Sequence, residues 1–145
     1  MPQARGYFDT SVLVKRYVRE AGSETARALM RRYRAVSSTV APLELMSALH
    51  RRRAAGDLLE ADFHAIVARV NRDRAFWELV EVGSVVLDRA EQVLQQTALR
   101  TLDALHVASA LLFQSVSGQS IPFFTSDSRQ RGAAARLALT VVWIA

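Results

Sequence analysis

The stretch Gly6-Tyr7-Phe8-Asp9-Thr10-Ser11-Val12-Leu13-Val14 decides the fold. A short apolar run over 6–9 stops at Asp-Thr-Ser, and the apolar positions of 12–18 then follow helical rather than alternating spacing. That pattern predicts a strand, a tight turn and a helix. The same grammar repeats along the chain. Ser23 precedes an amphipathic helix over 24–33, and 35–38 has the length of a second strand. Within 40–53, Leu43, Met46 and Leu49 recur every three residues and Gly56 closes the helix. A helix over 59–74, a strand over 79–82 and helices over 87–99 and 102–113 follow. Residues 114–120 read as a polar loop ahead of a strand over 122–125, a helix over 128–137 and a β-branched closing strand over 140–144. Strands alternating with helices predict an α/β architecture, with a mostly parallel sheet covered by helices on both faces.

Composition narrows the class. The chain has 145 residues, half of them hydrophobic, and no cysteine, so a single domain over 1–145 with an ordinary core is expected. A disulfide-stapled mini-protein and a zinc finger are excluded. The first eleven residues hold no apolar targeting segment, and the longest nearly apolar runs, 104–113 and 137–145, are too short to span a bilayer. A soluble, cytoplasmic protein with no membrane partner is the expectation. The formal charge is +5, carried by 18 arginines and Lys15 against 14 acids. Residues 1–74 hold 14 of the basic and 8 of the acidic groups, so the excess lies in the first half. Arginine suits planar recognition of phosphate, which makes nucleic acid the first candidate partner. The competing explanation is a high-GC genome, in which arginine replaces lysine on an ordinary solvated surface.

Ligands of an open parallel sheet bind beyond the carboxyl ends of its strands, so polar residues directly after strands carry the chemistry. Two are aspartates: Asp9 after the first strand, and Asp127 after Phe123-Phe124-Thr125-Ser126. Taken singly, each is also an ordinary helix cap. Glu44 shares a helix stripe with the mostly small Val40, Ala41, Ser47 and Ala48. Asp103 opens a helix within Leu102-Asp103-Ala104-Leu105, where a solvent-facing charge is poorly matched to its neighbours. If the four converge, each pair at about 4 Å repels by roughly 4 kcal/mol at an effective dielectric of 20, so the pocket needs a cation or shifted protonation. Oxygen-only ligands select Mg²⁺, with Mn²⁺ as the alternative ion. An ion so held activates water and neutralises charge on a phosphoryl oxygen, which points to phosphodiester hydrolysis.

The order Tyr7-Phe8-Asp9-Thr10-Ser11, Leu43-Glu44-Leu45, Arg100-Thr101-Leu102-Asp103-Ala104-Leu105-His106-Val107-Ala108 and Phe124-Thr125-Ser126-Asp127 resembles the PIN-domain ribonucleases. Among them it is most similar to the VapC-type toxins of toxin–antitoxin pairs. The likeness spans essentially the whole chain, and the nine-residue third motif is its most specific part. The resemblance implies a three-layer fold around a five-stranded parallel sheet and a Mg²⁺-dependent endoribonuclease site at Asp9, Glu44, Asp103 and Asp127. A homodimer and a small antitoxin whose tail occludes the site are also implied. On that basis Asp9 and Asp103 are expected as the main metal ligands. Asp127 is expected to ligate directly or through water, and Glu44 to ligate or to orient the attacking water. Thr10, Ser11, Thr125 and Ser126 are expected to hold the carboxylates or a water. Arg129 and Arg51 are candidate phosphate contacts, and the rest of the run Arg51-Arg52-Arg53 a candidate RNA or antitoxin contact. One departure is Ala138, where many relatives carry glycine before the last strand, which puts the geometry of that turn in question.

His106 falls on the same helix face as Asp103 but is expected to be a packed or hydrogen-bonded structural histidine, and His50 and His64 to be surface residues. Trp77 and Trp143 are expected in the core or an interface. A phospho-accepting signalling domain would need paired acids near the first strand, an acid after the middle strand and a late lysine. Here Val82-Gly83-Ser84 follows the third strand and no lysine follows Lys15. A phosphatase of the Asp-x-Asp type fails at Ser11. The alternatives left standing within the family are an RNA-processing nuclease without a toxin role and an inactive RNA-binding subunit.

Overall fold

The computed structural model describes residues 3–145. Its elements run β1 (Arg5–Phe8), α1 (Thr10–Tyr17), α2 (Ser23–Arg32), β2 (Arg34–Ser38), α3 (Ala41–Ala54), α4 (Glu60–Asp73), β3 (Glu78–Val80), α5 (Ser84–Gln96), α6 (Thr101–Ser117), β4 (Pro122–Thr125), α7 (Ser128–Arg136) and β5 (Thr140–Trp143). A 3₁₀ turn, Arg74–Phe76, joins α4 to β3. The five strands form one sheet in the order β3-β2-β1-β4-β5, and every pairing is parallel.

Alternate strand residues serve the two faces. Tyr7, Val36 and Phe123 point into a core completed by Val86, Val93, Ala104, Ala108 and Ala134 of α5, α6 and α7. Phe8, Ala35 and Phe124 point the other way, onto Val12, Leu13 and Ala26 of α1 and α2. A third cluster, Val14, Leu45, Leu49, Phe63 and Val70, binds α3 and α4 to the outside of α1. The three central strands β1, β2 and β4 are buried on both sides, which is why they read as short runs rather than alternating ones. Gly6 is required by this packing: a Cβ there would stand 2.5 Å from Cε2 of Phe124.

The chain moves from β1 outward to β2 and β3, then crosses back to β4 on the other side of β1 and ends at β5. The direction of winding therefore reverses between β1 and β4, and the crevice at their carboxyl ends is where such sheets bind ligands. Asp9 leaves β1 and Asp127 follows β4 at this point, as N-caps of α1 and α7.

The sequence pattern misplaces several boundaries. Residues 114–117, expected in a loop, belong to α6, which Gly118 closes at φ 70°. Ser115, Val116 and Ser117 are solvent-exposed, so polarity there reflects exposure and not the end of the helix. Helix α5 begins at Ser84 and ends at Gln96, and Leu99, expected at its end, is a buried residue of the connection. Trp143 is 36% exposed under the guanidinium of Arg131, 5.0 Å from its ring centre, rather than in the core. Trp77 is partly buried between two clusters, and His50 and His64 are exposed as expected.

Ala138 adopts φ 68°, the only left-handed non-glycine residue among those described. It follows the end of α7, where Leu139 donates its N–H to the carbonyl of Ala134 at 3.2 Å and buries its side chain in the core. This is the left-handed helix stop that glycine normally supplies. A side chain in that conformation costs about 1–2 kcal/mol, offset in part by the lower chain entropy of alanine in the unfolded state. Ala138→Gly is therefore expected to stabilise the protein by about 0.5–1 kcal/mol, read as a rise of roughly 2–4 °C in Tm. An unchanged or lower Tm would show that the turn bears no such strain.

Candidate active site

The four acids arrive from four different elements. Asp9 caps α1, Glu44 lies in the first turn of α3, Asp103 in the first turn of α6, and Asp127 caps α7. All four line one cleft of about 520 Å³, together with Thr10, Ser11, Arg51, His106 and Gln130. Val40, Ser47 and Ala48, the small neighbours of Glu44, form part of its wall.

Asp9 is the most enclosed of them, 2% exposed. Its Oδ1 accepts from the backbone N–H and the hydroxyl of Ser11, both at 2.5 Å, and its Oδ2 is held by the Thr125 hydroxyl. Capping and site geometry are thus one arrangement, because the bond from Ser11 N–H that starts α1 also fixes the carboxylate. Asp127 repeats the device, its Oδ1 accepting from Arg129 N–H at 2.8 Å. Among the hydroxyls expected to support the acids, Thr10 donates to Oε1 of Glu44 at 2.8 Å, and Ser11 and Thr125 hold Asp9. Ser126 does not do so through its side chain. Its backbone N–H donates to the Ser11 hydroxyl at 3.0 Å, while its own Oγ is buried without a partner among the described residues. Arg129 is exposed and outside the cleft lining, although its charge acts favourably on ionised Asp103.

One supporting group escaped the sequence, and a second was expected there only as a structural histidine. Gln130, 2% exposed, donates from Nε2 to Oδ1 of Asp103 at 3.1 Å, and its Oε1 lies 2.9 Å from the Thr125 hydroxyl. A bridge Asp103–Gln130–Thr125–Asp9 therefore joins α6 to α1. The spacing of 130, 133, 134 and 137 marks the inward stripe of α7 and was the available signal. The second is His106, which is buried as expected but whose Nε2 sits 2.6 Å from Oε1 of Glu44. Its Nδ1 meets the hydroxyl of Tyr7 at 2.8 Å.

With this fold and site geometry, the relationship to known proteins becomes clear. The sequence profile of the PIN domain matches residues 6–136. The chain belongs to the PIN domain family. Ribonuclease VapC46 of Mycobacterium tuberculosis is 36% identical over 137 residues, covering 94% of this chain and 95% of that one. A solved toxin–antitoxin complex from Klebsiella pneumoniae superposes with a TM-score of 0.70 at 14% identity, covering 97% of this chain and 98% of that one. A member of the VapBC family of toxin–antitoxin systems from Mycobacterium tuberculosis, VapBC-5, gives a TM-score of 0.55 at 20% identity over 97% and 98%. The five-stranded parallel sheet with helices on both faces is the PIN-like architecture expected from the sequence.

The electrostatics of this PIN domain follow from enclosure. Burial pushes the Asp9 carboxyl up, against the hydrogen bonds from Ser11 and Thr125. Asp103 is pushed up first by burial and then by the charges of Asp127 and Asp9. One Thr125 proton cannot serve both Asp9 and Gln130. With Asp9 protonated, Oδ2 donates to Thr125 and Thr125 donates to Oε1 of Gln130, so that every group is satisfied. Among the described residues, no three His, Asp or Glu side chains already stand close enough to cage an ion. The donor chemistry nonetheless fits a hard cation, since four carboxyls share one cleft, two of them raise the cost of ionising Asp103, and the chain has no thiol.

A carboxyl whose folded pKa is raised contributes stability below its unfolded value and loses it as pH rises through the folded value. Asp103→Asn, which keeps an acceptor for Gln130, is therefore expected to raise the Tm of EDTA-treated protein at pH 7. The gain should shrink toward zero as the pH falls into the ordinary carboxylate range. A variant less stable than the parent at pH 7 would contradict burial, reinforced by neighbouring charge, as the dominant effect at this position.

Proposed function

We propose that this protein is an endoribonuclease toxin that hydrolyses RNA phosphodiesters with Mg²⁺ or Mn²⁺, and that a cognate antitoxin restrains it. The observation that carries this reading is the convergence of Asp9, Glu44, Asp103 and Asp127 on one cleft at the sheet's winding reversal. The relationship to Ribonuclease VapC46 supports RNA as substrate, and the shared fold of solved toxin–antitoxin proteins supports an antitoxin partner. A second copy of the chain as partner and the cytoplasm as setting complete the proposal. No helix among the described residues is long and apolar enough to cross a membrane.

Asp9, Asp103 and Asp127, with Glu44, are the residues that would hold the ion, which when bound supplies an activated water and neutralises phosphoryl charge. The chain's own groups do the rest. Ser11 and Thr125 hold Asp9, and Gln130 holds Asp103, so the carboxylates keep their places as charge develops. Glu44 faces the cleft at the end of a hydrogen-bonded chain and is the group placed to orient the attacking water. Hydrolysis adds water across the P–O bond, the water oxygen staying on phosphorus and a proton passing to the departing ribose oxygen.

Carboxylates repel phosphates, so the strand must be held from outside the acid cluster. A second groove lined by Lys15, Glu20, Arg51, Arg52 and Asp57 shares Ser11, Val14, Ala48 and Arg51 with the acid cleft. Lys15 and Arg52 are committed to Glu20, and Arg53 to Glu60. Arg51 donates to the Ser47 hydroxyl at 2.7 Å and has no carboxylate at ion-pair distance among the described residues. It is the cation proposed to bind a flanking phosphate.

Purified protein is expected to cut RNA with Mg²⁺ or Mn²⁺ and to stop with EDTA. Saturation at 100 times the ion's Kd should add about 2.7 kcal/mol to its stability. Asp103→Asn should remain folded and lose activity on the order of 10²–10³-fold. Retention of parental cleavage by that variant would remove Asp103 from the site. In Arg51→Ala the KM for RNA should rise with kcat little changed, and the salt dependence of binding should become shallower. An unaltered salt slope would exclude the phosphate contact.

A further inference from the structure

The cleft wall behind Glu44 is a buried chain of polar groups inside an otherwise apolar layer. Tyr7 is fully buried on β1, stacked on Phe123 with ring centres 5.2 Å apart and planes within 7°. Its hydroxyl lies 2.8 Å from Nδ1 of His106 on α6. Across the ring, Nε2 of His106 lies 2.6 Å from Oε1 of Glu44 on α3 and 3.1 Å from the Thr10 hydroxyl on α1. Thr10 itself donates to the same Oε1 at 2.8 Å. Four elements are joined through one imidazole.

Proton counting fixes the direction of the bond to Glu44. A carboxylate oxygen only accepts, so an Nε2 at 2.6 Å from it must carry hydrogen. A bare Nε2 would set two lone pairs against each other. Nδ1 lies at hydrogen-bond distance from the Tyr7 hydroxyl, which is placed to donate to it when the ring carries the Nε2 proton alone. Burial holds that phenol in its protonated form, well above its ordinary range. Oε1 of Glu44 thus receives two hydrogen bonds from behind, while Oε2 has no protein partner among the described residues.

We propose that Tyr7 and His106 are positioning residues that set Glu44 in a one-sided posture: Tyr7 fixes the Nε2–H form of His106, and His106 with Thr10 occupies Oε1 so that Oε2 alone is presented to the cleft. This rests on Glu44 belonging to the metal-dependent nuclease site and adds the residues that orient it. The geometry makes the carboxylate a one-oxygen donor to an ion or its water. Without the chain, rotation about the terminal torsion of Glu44 is soft and the two oxygens become interchangeable. Outer partners of metal ligands characteristically change metal affinity or activity by about 10–100-fold when removed.

Tyr7→Phe is the informative variant, because it deletes one hydroxyl and retains the ring stacked on Phe123. His106→Leu is the stronger lesion but removes the core of the chain and is open to misfolding. Three measurements at pH 7 decide the matter. In metal-free parent protein, ¹⁵N NMR should find Nδ1 of His106 bare and Nε2 protonated, and Tyr7→Phe should shift this to a mixture of ring forms. Calorimetry with Mn²⁺ alone should show a Kd about 10-fold weaker in Tyr7→Phe. With saturating Mn²⁺, kcat on RNA should fall about 10-fold with KM unchanged, a split that simple loss of packing does not give. A parent ring with Nδ1 protonated, or a Tyr7→Phe variant with the parent's Mn²⁺ affinity, would overturn the proposal. If the parent binds Mn²⁺, Tyr7→Phe binds it more weakly and neither cuts RNA, the nuclease reading falls and the positioning of Glu44 stands.

Discussion

The Asp9 carboxyl is sealed where β1 and β4 part, and the surrounding structure is arranged to keep it there. An enclosed carboxyl must have each oxygen satisfied, and those partners come from both sides of the winding reversal: Ser11 from α1 and Thr125 from the end of β4. The backbone N–H of Asp9 also donates to the carbonyl of Phe124 at 3.1 Å, so the β1–β4 pairing continues into the site. The short strand, the abrupt turn and the immediate start of α1 follow from this, since a cap whose side chain accepts from the residue two places on leaves no room for a longer loop. Disturbing the β1–β4 register would move Thr125 and Asp127 together relative to Asp9.

Around that fixed point the remaining acids are held with graded freedom. Asp103 is half-buried and tied through Gln130, Asp127 is tied to its own helix start, and Glu44 reaches in from α3 on a longer side chain. Burial opposes ionisation of Asp9 and Asp103, the charges of Asp127 and Asp9 add to it at Asp103, and the hydrogen bonds from Ser11 and Thr125 oppose it at Asp9. Asp9 is therefore held at both carboxyl oxygens, whereas Asp103, Asp127 and Glu44 are each held at one and keep the other for what enters the cleft. That is a useful division where bound charge changes during a reaction, because a rigid frame avoids reorganising every ligand at once.

What the sequence revealed and what it hid have physical causes. Asp9 and Asp127 were legible because a polar residue directly after an apolar run is a local signal, and strand ends place it on one edge of the sheet. Glu44 and Asp103 were legible as charges among small or apolar neighbours. Gln130 was hidden because glutamine is unremarkable on a surface helix, and its burial depends on α7 turning that stripe toward α6. Tyr7 read as one more apolar strand residue, since nothing local says that its hydroxyl meets a histidine 99 positions away. His106 was expected to be packed or hydrogen-bonded and is both, but its partner lies on another helix and periodicity cannot supply it. The polar end of α6 failed for the opposite reason, since exposure removed the apolar stripe on which a helix is recognised.

The positive charge of the first half acquires a more definite place once pairing is taken into account. Many of its cations are spent inside the protein: Arg5 and Arg34 flank Glu78, Lys15 and Arg52 share Glu20, and Arg53 meets Glu60. Charge counted along the chain therefore overstates what an external anion meets. Arg51 differs because it lies on the wall common to the acid cleft and the neighbouring groove, held by a hydroxyl that neutralises nothing. A polyanion drawn by the surface would meet repulsion at the acids and attraction one step to the side. In the proposed reaction, the contrast between Arg51 and the acids across a single wall would orient a strand that the net charge could only attract.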